Sequence, residues 1–300
     1  SVGVAYVVTP SLAIGGGGFL ASNYNITYIP FNGIVTAKAL TVTATGPSKS
    51  YGTALTAGIS NTNFTAATGV GGQTITSVTL TPDAAGLSAS TAAGLAYIVT
   101  PSLATGTGGF LASNYNITYA SFNGNVTAKA LTVNATGPSK TYGTALIAGT
   151  SSTNFTASTT GIGSETVTSV TLTPNASGLS ATRAAGLTYV VTPSLATGTG
   201  GFLASNYTIT YVAFNGIVTK KALTVTATGP LKTYGTALIT GTSSTNFIAG
   251  ATGVGTQTVT RVTLTPDAAG LSSTTSVGVA YVVTPSLAIG GGGFLASNYN

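Results

Sequence analysis

Residues Asn114 to Thr136 read NYNITYASFNGNVTAKALTVNAT, and the phrase returns with small changes at Asn23 to Thr45 and at Asn206 to Thr228. In its first part Tyr115, Ile117 and Tyr119 alternate with Asn116 and Thr118, the period-two pattern of a strand with one buried face. Asn123-Gly124 comes next. Both residue types tolerate positive φ, so this pair predicts a tight turn that folds two strands into a hairpin. A new alternating run, Ala130, Leu131, Thr132 and Val133, starts directly after Ala128-Lys129. One unit ends and the next begins with almost no linker, as in a rod.

Outward from this stretch the chain is repetitive throughout. Lys38, Lys129 and Lys221 open identical KAL tripeptides, 91 and 92 residues apart, and Pro82, Pro174 and Pro266 close identical TLTP strings at spacings of 92 and 92. The one-residue difference falls after Phe64, where TAATGVGG becomes TASTTGIGS, an insertion in a loop. Residues 276–300 repeat residues 1–25 letter for letter. Such periodicity is read before anything else, because it decides the architecture. The expected organisation is residues 1–37 as the C-terminal part of a preceding repeat, complete repeats at 38–128 and 129–220, and 221–300 as a repeat lacking its last strand. On this reading the chain is a window on a longer array, whose export signals and anchors lie outside it.

Within one unit, ALTVTAT places Leu40 and Val42 on one face and Thr41 and Thr43 on the other. Gly46-Pro47-Ser48-Lys49 reads as a turn. The segment from Gln73 to Thr81 is the longest strand, with a β-bulge expected at Thr76-Ser77, where the apolar phase slips. Pro82 should end it, since proline donates nothing to a ladder. Leu95 to Val99 reads as a further strand, followed by Pro101 and a glycine-rich loop from Ala104 to Gly109. Six or seven short antiparallel strands in about 90 residues make an all-β fold, a β-sandwich.

The strings KALTVTATGPSKSYGTAL (38–55), VTSVTLTP (167–174), GLAYIVTPS (94–102) and the closing NYNITYxxFNGxVTAK together resemble the MBG repeats, the "mostly bacterial" immunoglobulin-like domains. The resemblance covers the whole chain and is carried best by the KALTVTA opening with its later Lys-x-Tyr-Gly and by the Asn-Tyr-x-Ile-Thr-Tyr close. It implies tandem immunoglobulin-like modules of giant secreted surface proteins and adhesins, including gliding-motility adhesins of Bacteroidota. In such proteins these modules generally serve as stalk.

Composition narrows the function classes. Hydrophobic residues make up 43% of the chain and charged residues 4%, so the chain has neither the low apolar content nor the high charge of disorder. No apolar run approaches the ~18 residues of a membrane-spanning helix. The strands also follow an immunoglobulin-like order rather than the even ~10-residue hairpins of a membrane barrel. The net charge of +6 rests on nine basic and three acidic side chains. The basic residues stand singly apart from Lys220-Lys221, and nucleic-acid binding requires a dense basic face.

Catalysis needs a group activated near neutral pH. The chain has no His and no Cys, and its acids, Asp83, Glu165 and Asp267, lie far apart in sequence. No catalytic residue, cofactor or metal site is expected, and the clustered carboxylates of a calcium site are missing. The same scarcity of acids counts against a Lys–Asn isopeptide cross-link. The glycine runs Gly15–Gly18 and Gly106–Gly109 lack the lysine and third glycine of phosphate-binding loops. Outward threonine pairs such as Thr41-x-Thr43 look like the rows of ice-binding surfaces but equally suit ordinary strands, and the Asn116-Ile117-Thr118 sequon matters only in a host that glycosylates.

Aromatic residues recur at the repeat spacing: Tyr51, Tyr142 and Tyr234; Phe64, Phe155 and Phe247; Tyr97, Tyr189 and Tyr281; Phe110, Phe202 and Phe294. Each is expected in the core, where one ring buries about 150–250 Å². Tyr24, Tyr115 and Tyr207, in ASNY beside the glycine-rich loop, are instead candidate surface contacts. Ala37, Lys38, Ala128, Lys129, Lys220 and Lys221 are candidate junction residues, acting as register pins or as charges that blunt a sheet edge. The sequence thus predicts an extracellular bacterial shaft, a stiff spacer whose partners are its own neighbouring repeats or other copies in a fibre. The alternatives are repeats that themselves bind glycans or filaments, and repeats that self-assemble by strand complementation.

Overall fold

The structure, a computed structural model, describes residues 1–300. It is an all-β fold of the sandwich type. The chain forms two compact units: Ser1–Lys129 with Ser205–Thr208, and Ala130–Ala204 with Ile209–Asn300. These units do not follow the sequence repeats, because the Ser205–Thr208 corner packs with the unit that precedes it.

The first unit opens with a hairpin of β1 (Ala5–Val8) and β2 (Phe31–Ile34). A sandwich follows, built from β3 (Lys38–Ala44), β4 (Gly58–Ser60), β5 (Phe64–Ala66), β6 (Thr74–Pro82), β7 (Ala96–Thr107), β8 (Tyr115–Ala120) and β9 (Phe122–Asn125), with a one-turn helix α1 (Ala84–Leu87) after β6. One sheet runs β5-β3-β8 and the other β4-β6-β7-β9. Leu40, Val42 and Ala44 point inward from the first sheet, Val78, Leu80, Tyr97 and Val99 from the second, and all are buried. The alternation in KALTVTA therefore sets the strand phase, as expected from period two.

The second unit repeats the plan. Its first sandwich comprises β10 (Lys129–Ala135), β11 (Gly149–Ser151), β12 (Phe155–Ala157), β13 (Thr166–Pro174), β14 (Thr188–Thr199), β15 (Tyr207–Val212) and β16 (Phe214–Ile217), with α2 (Ala176–Leu179). The last copy has β17 (Val225–Ala227), β18 (Gly241–Ser243), β19 (Phe247–Ala249), β20 (Thr258–Pro266) and β21 (Val283–Gly291), with α3 (Ala268–Leu271). Its sheets are β17-β19 and β18-β20-β21.

The bulge expected at Thr76-Ser77 is present, since the β6–β7 register shifts between Ile75 and Ser77. A second shift, between Ser77 and Thr79, falls opposite Leu103, whose φ is 47°. That left-handed residue turns the next amide inward, and Ala104 N–H donates to the Tyr119 hydroxyl of the opposite sheet at 2.9 Å. Leu195 in β14 has φ 48° and the same outcome, with Ala196 N–H donating to Tyr211 at 2.9 Å. The bulge pair is thus a device that ties the two sheets together.

Three local expectations differ from the structure. Asn123-Gly124 is not a turn: both residues lie in β9, which pairs with β7 while β8 belongs to the other sheet. Gly124 is there because the Tyr97 ring lies over its backbone, and a Cβ would overlap that ring. Pro101 does not end a strand. It sits inside the twelve-residue β7 opposite Leu80, and the "loop" from Ala104 is largely the rest of that strand. The glycines there are packing residues, since a Cβ on Gly106 would strike the Thr74 carbonyl and the Phe110 ring. Finally, the strands are not all antiparallel. β3 runs parallel to β8 over six pairs, from Lys38↔Tyr115 to Thr43↔Ala120.

Candidate functional site: a sandwich-to-sandwich junction

Two polar constructions recur in each copy, one inside the sandwich and one at its corner. The internal one centres on lysine. After Pro82, Asp83 caps α1 by accepting from Gly86 N–H at 2.7 Å, the usual role of Asp at a helix start. The Lys49 ammonium meets the other end of α1, donating to the carbonyls of Ala85 at 2.6 Å, Gly86 at 3.1 Å and Ser88. Lys49 is only 2% exposed. Burial holds its ammonium below the usual lysine value, while the charge of Asp83 opposes that shift.

In the next copy Lys140, 1% exposed, donates to the carbonyls of Ser180 at 2.7 Å and of Thr144. Here the cap is Asn175 rather than Asp, and burial alone lowers the lysine. Lys232 makes the same contacts to Ala269, Gly270 and Ser272. Above each lysine lies a tyrosine from the facing strand: Tyr97 donates to Pro47 O at 3.0 Å and Tyr189 to Pro138 O at 2.9 Å. Sequence reasoning marked these lysines only as single basic residues, with Lys49 closing the expected Gly46–Lys49 turn, and missed that Lys49 and Lys140 are buried and Lys232 half-buried. The available signal was Lys-x-Tyr-Gly 34 or 35 residues before an Asp or Asn that follows proline.

The corner construction uses ASNY. In the second unit, Tyr299 stacks on Phe294 at 5.1 Å and meets Tyr142 of the preceding sandwich edge-on at 5.5 Å. Gln257 joins the two hydroxyls: its Oε1 accepts from Tyr299 at 2.6 Å and its Nε2 donates to Tyr142 at 2.7 Å. Asn298 Oδ1 accepts from Ala185 N–H of the preceding sandwich at 2.9 Å. Gly143, at φ +87°, lets Val254 approach, and any Cβ there would come within 2.6 Å of the Val254 side chain. Burial pushes the Tyr299 phenol above its ordinary value; the side-chain hydrogen bond with Thr252 pulls it back and Tyr142 adds to the rise.

Matching contacts appear inside the first unit. Ala93 N–H donates to Asn206 Oδ1 at 3.0 Å, and Tyr51 meets Tyr207 edge-on at 5.6 Å. Val2 N–H likewise donates to Asn114 Oδ1 at 3.1 Å, beside a cavity of about 230 Å³ lined by Lys38, Val70, Gln73 and Tyr115 among others.

The candidate surface tyrosines must therefore be corrected. Tyr115 and Tyr207 are 8% and 6% exposed; Tyr115 stacks on Phe110 at 5.2 Å and donates to Gln73 Oε1 at 2.5 Å. They are buried because the preceding copy, or its remnant, closes over the ASNY corner. Only Tyr24 is exposed, stacked on Phe19 in the N-terminal segment.

Of the candidate junction lysines, Lys38 heads β3 and donates to Gly69 O at 2.8 Å. Lys129 heads β10. Lys221 bridges to Tyr299 and its ammonium reaches Gly253 O at 3.4 Å. Ala37, Ala128 and Lys220 are the residues just before these lysines, in the connecting segments. Most of the expected core aromatics are buried, Phe64, Phe155, Phe247 and Tyr281 are half-buried, and Tyr234 is exposed. No three of His, Cys, Asp and Glu come together anywhere, and no helix is long and apolar enough to cross a membrane. No family model, curated protein or solved structure matches the chain.

Proposed function

We propose that the chain is a length of structural shaft, a stiff spacer of tandem immunoglobulin-like sandwiches in an extracellular bacterial filament or giant surface adhesin. The observation that carries this is the second unit's junction. There two sandwiches share a buried Tyr142–Gln257–Tyr299 network and the Ala185–Asn298 hydrogen bond, on a connection with no slack beyond Lys220-Lys221. An edge-on tyrosine pair contributes about 0.5–1.5 kcal/mol and each hydrogen bond about 1 kcal/mol, enough to favour one angle over free pivoting. The resemblance to MBG repeats and the thiol-free, Ser- and Thr-coated composition supply the extracellular bacterial setting. Small-angle scattering of the chain tests the reading: a spacer gives a maximum dimension that does not change with ionic strength, whereas a chain of pivoting beads gives a broad, salt-dependent profile.

Strand complementation is the second reading. Residues 280–283 repeat residues 5–8, and in this structure residues 5–8 pair with Phe31–Ile34. The same β2 strand of another copy would fit that edge. Concentration-dependent growth of oligomers by sedimentation supports it, and a constant sedimentation coefficient removes it.

A further inference from the structure

The strand polarity of the complete sandwich decides how it meets tension. The opening strand β3 lies parallel to the late strand β8 over six residue pairs. Past Gly46-Pro47 the opening segment pairs again, and again in parallel, with the last segment of the sandwich: Ser50 bridges Thr127. Thr127 N–H donates to Lys49 O at 3.0 Å and Tyr51 N–H donates to Thr127 O at 2.9 Å. The second sandwich repeats this closure, with Thr141 bridging Thr219, Thr219 N–H on Lys140 O and Tyr142 N–H on Thr219 O, both at 2.9 Å. When a sandwich is pulled by its two ends, the opening segment is drawn toward its own start and the closing segment toward its own end. Between parallel strands those forces slide one strand along the other. The evenly spaced bonds of a parallel ladder are then loaded together rather than broken one after another.

We infer that each complete sandwich is a tension clamp, in which the parallel pairs β3–β8 and Lys49-Ser50/Thr127 carry pulling force in shear and the buried lysine pins the sliding segment. Lys49 is the positioning residue. Its backbone carbonyl accepts from Thr127 while its ammonium holds three carbonyls of the α1 turn, so the segment cannot slide until that cage opens. In the second sandwich Lys140 stands in the same relation to Thr219. The inference rests on the shaft reading for its setting, and it adds resistance to tension to spacing. An anchored shaft under drag would transmit pull through folded sandwiches instead of lengthening by roughly 300 Å for each ~90-residue unit that unravels.

The chain has no cysteine, so engineered thiols give unique handles in the full chain. With Ala37→Cys and Ala128→Cys, optical-trap or force-microscope pulling loads the first sandwich in shear. With Ala37→Cys and Asn116→Cys, the handles sit at the same end of β3 and β8 and peel them apart. The clamp predicts a severalfold higher rupture force in shear than in peeling, with the sandwich's length released in one step. Lys49→Met should lower the shear force and leave the peeling force unchanged, which a merely structural lysine would not do. Equal forces in the two geometries, or stepwise release in shear, would overturn the clamp. The ratio between geometries is read on the unsubstituted Lys49 background, so it stands even if Lys49→Met folds poorly. Neither result bears on whether the junction holds its angle, so the spacer reading stands or falls separately.

Discussion

Residues 38–44 and 221–227 are the same heptapeptide, KALTVTA, yet they fold differently. In the first sandwich all seven residues form β3, with Leu40, Val42 and Ala44 buried. In the last copy only Val225–Ala227 is a strand, and its apolar side chains are half-buried. The difference is the neighbour. β3 has β8 beside it from Tyr115 to Ala120, whereas the last copy offers Lys221 and Leu223 only the residues Asn298 to Asn300. Tyr142 and Tyr234 teach the same lesson at 3% and 63% exposure. Local pattern sets the phase of a strand, and the parallel partner and the adjoining sandwich decide whether it is buried.

Alkali should sharpen this contrast most strongly. Burial raises the phenols of Tyr97 and Tyr189 above 10.0 and lowers the ammonium groups of Lys49 and Lys140 below 10.5. The raised tyrosines contribute stability that is complete below pH 10 and is lost as pH climbs through their folded values. The lowered lysines act oppositely: their buried charge opposes folding at neutral pH, and that burden lifts as pH rises toward 10.5. Melting temperature should therefore creep upward to about pH 10 and collapse beyond it. A melting temperature that falls steadily from pH 8 would contradict the buried-group account.

Next comes the repeated leucine. Leu40→Ala should cost ~2–5 kcal/mol in the first sandwich, and Leu223→Ala only ~1 kcal/mol or less, since half-buried area yields a fraction of the full transfer energy. Native-state hydrogen exchange resolves the two copies, and equal losses would erase the comparison. Removing the helix cap with Asp83→Ala should cost about 1 kcal/mol and lower the Lys49 ammonium further, because an opposing carboxylate is gone. The smallest effect is expected from Asn175→Asp, which gives the second copy the carboxylate of its neighbours. The Lys140 ammonium should then titrate higher, visible in its side-chain NMR shift, with little change in melting.

The pattern of legible and hidden features follows from the range of the forces. The strand phase of KALTVTA, the slip at Thr76-Ser77 and the all-β class are written in neighbouring residues, and each could be read directly. Asn123-Gly124 misled because glycine serves two physical ends, positive φ in a turn and close approach under a ring, and only the position of Tyr97 tells them apart. Pro101 looked like a strand end because its tolerance depends on which edge of the residue faces the partner strand. The parallel β3–β8 pairing joins residues 77 apart in sequence and leaves no local mark. Lys49 and Lys140 stand as single lysines with no local mark of burial, because the carbonyls that hold them come from the ends of α1 and α2, one-turn helices too short to announce themselves, and for Lys140 also from Thr144. The ASNY tyrosines looked like surface because what covers them belongs to the copy before.

The junction is the centre of the account, and one distance distribution tests it. Spin labels on Ile147→Cys and Ile239→Cys, both well exposed, report the separation of the second and third sandwiches by pulsed electron resonance. A locked junction predicts a single narrow distribution that broadens when Gln257 and Asn298 are both replaced by alanine. A broad distribution in the unsubstituted junction, unchanged by those replacements, would contradict it.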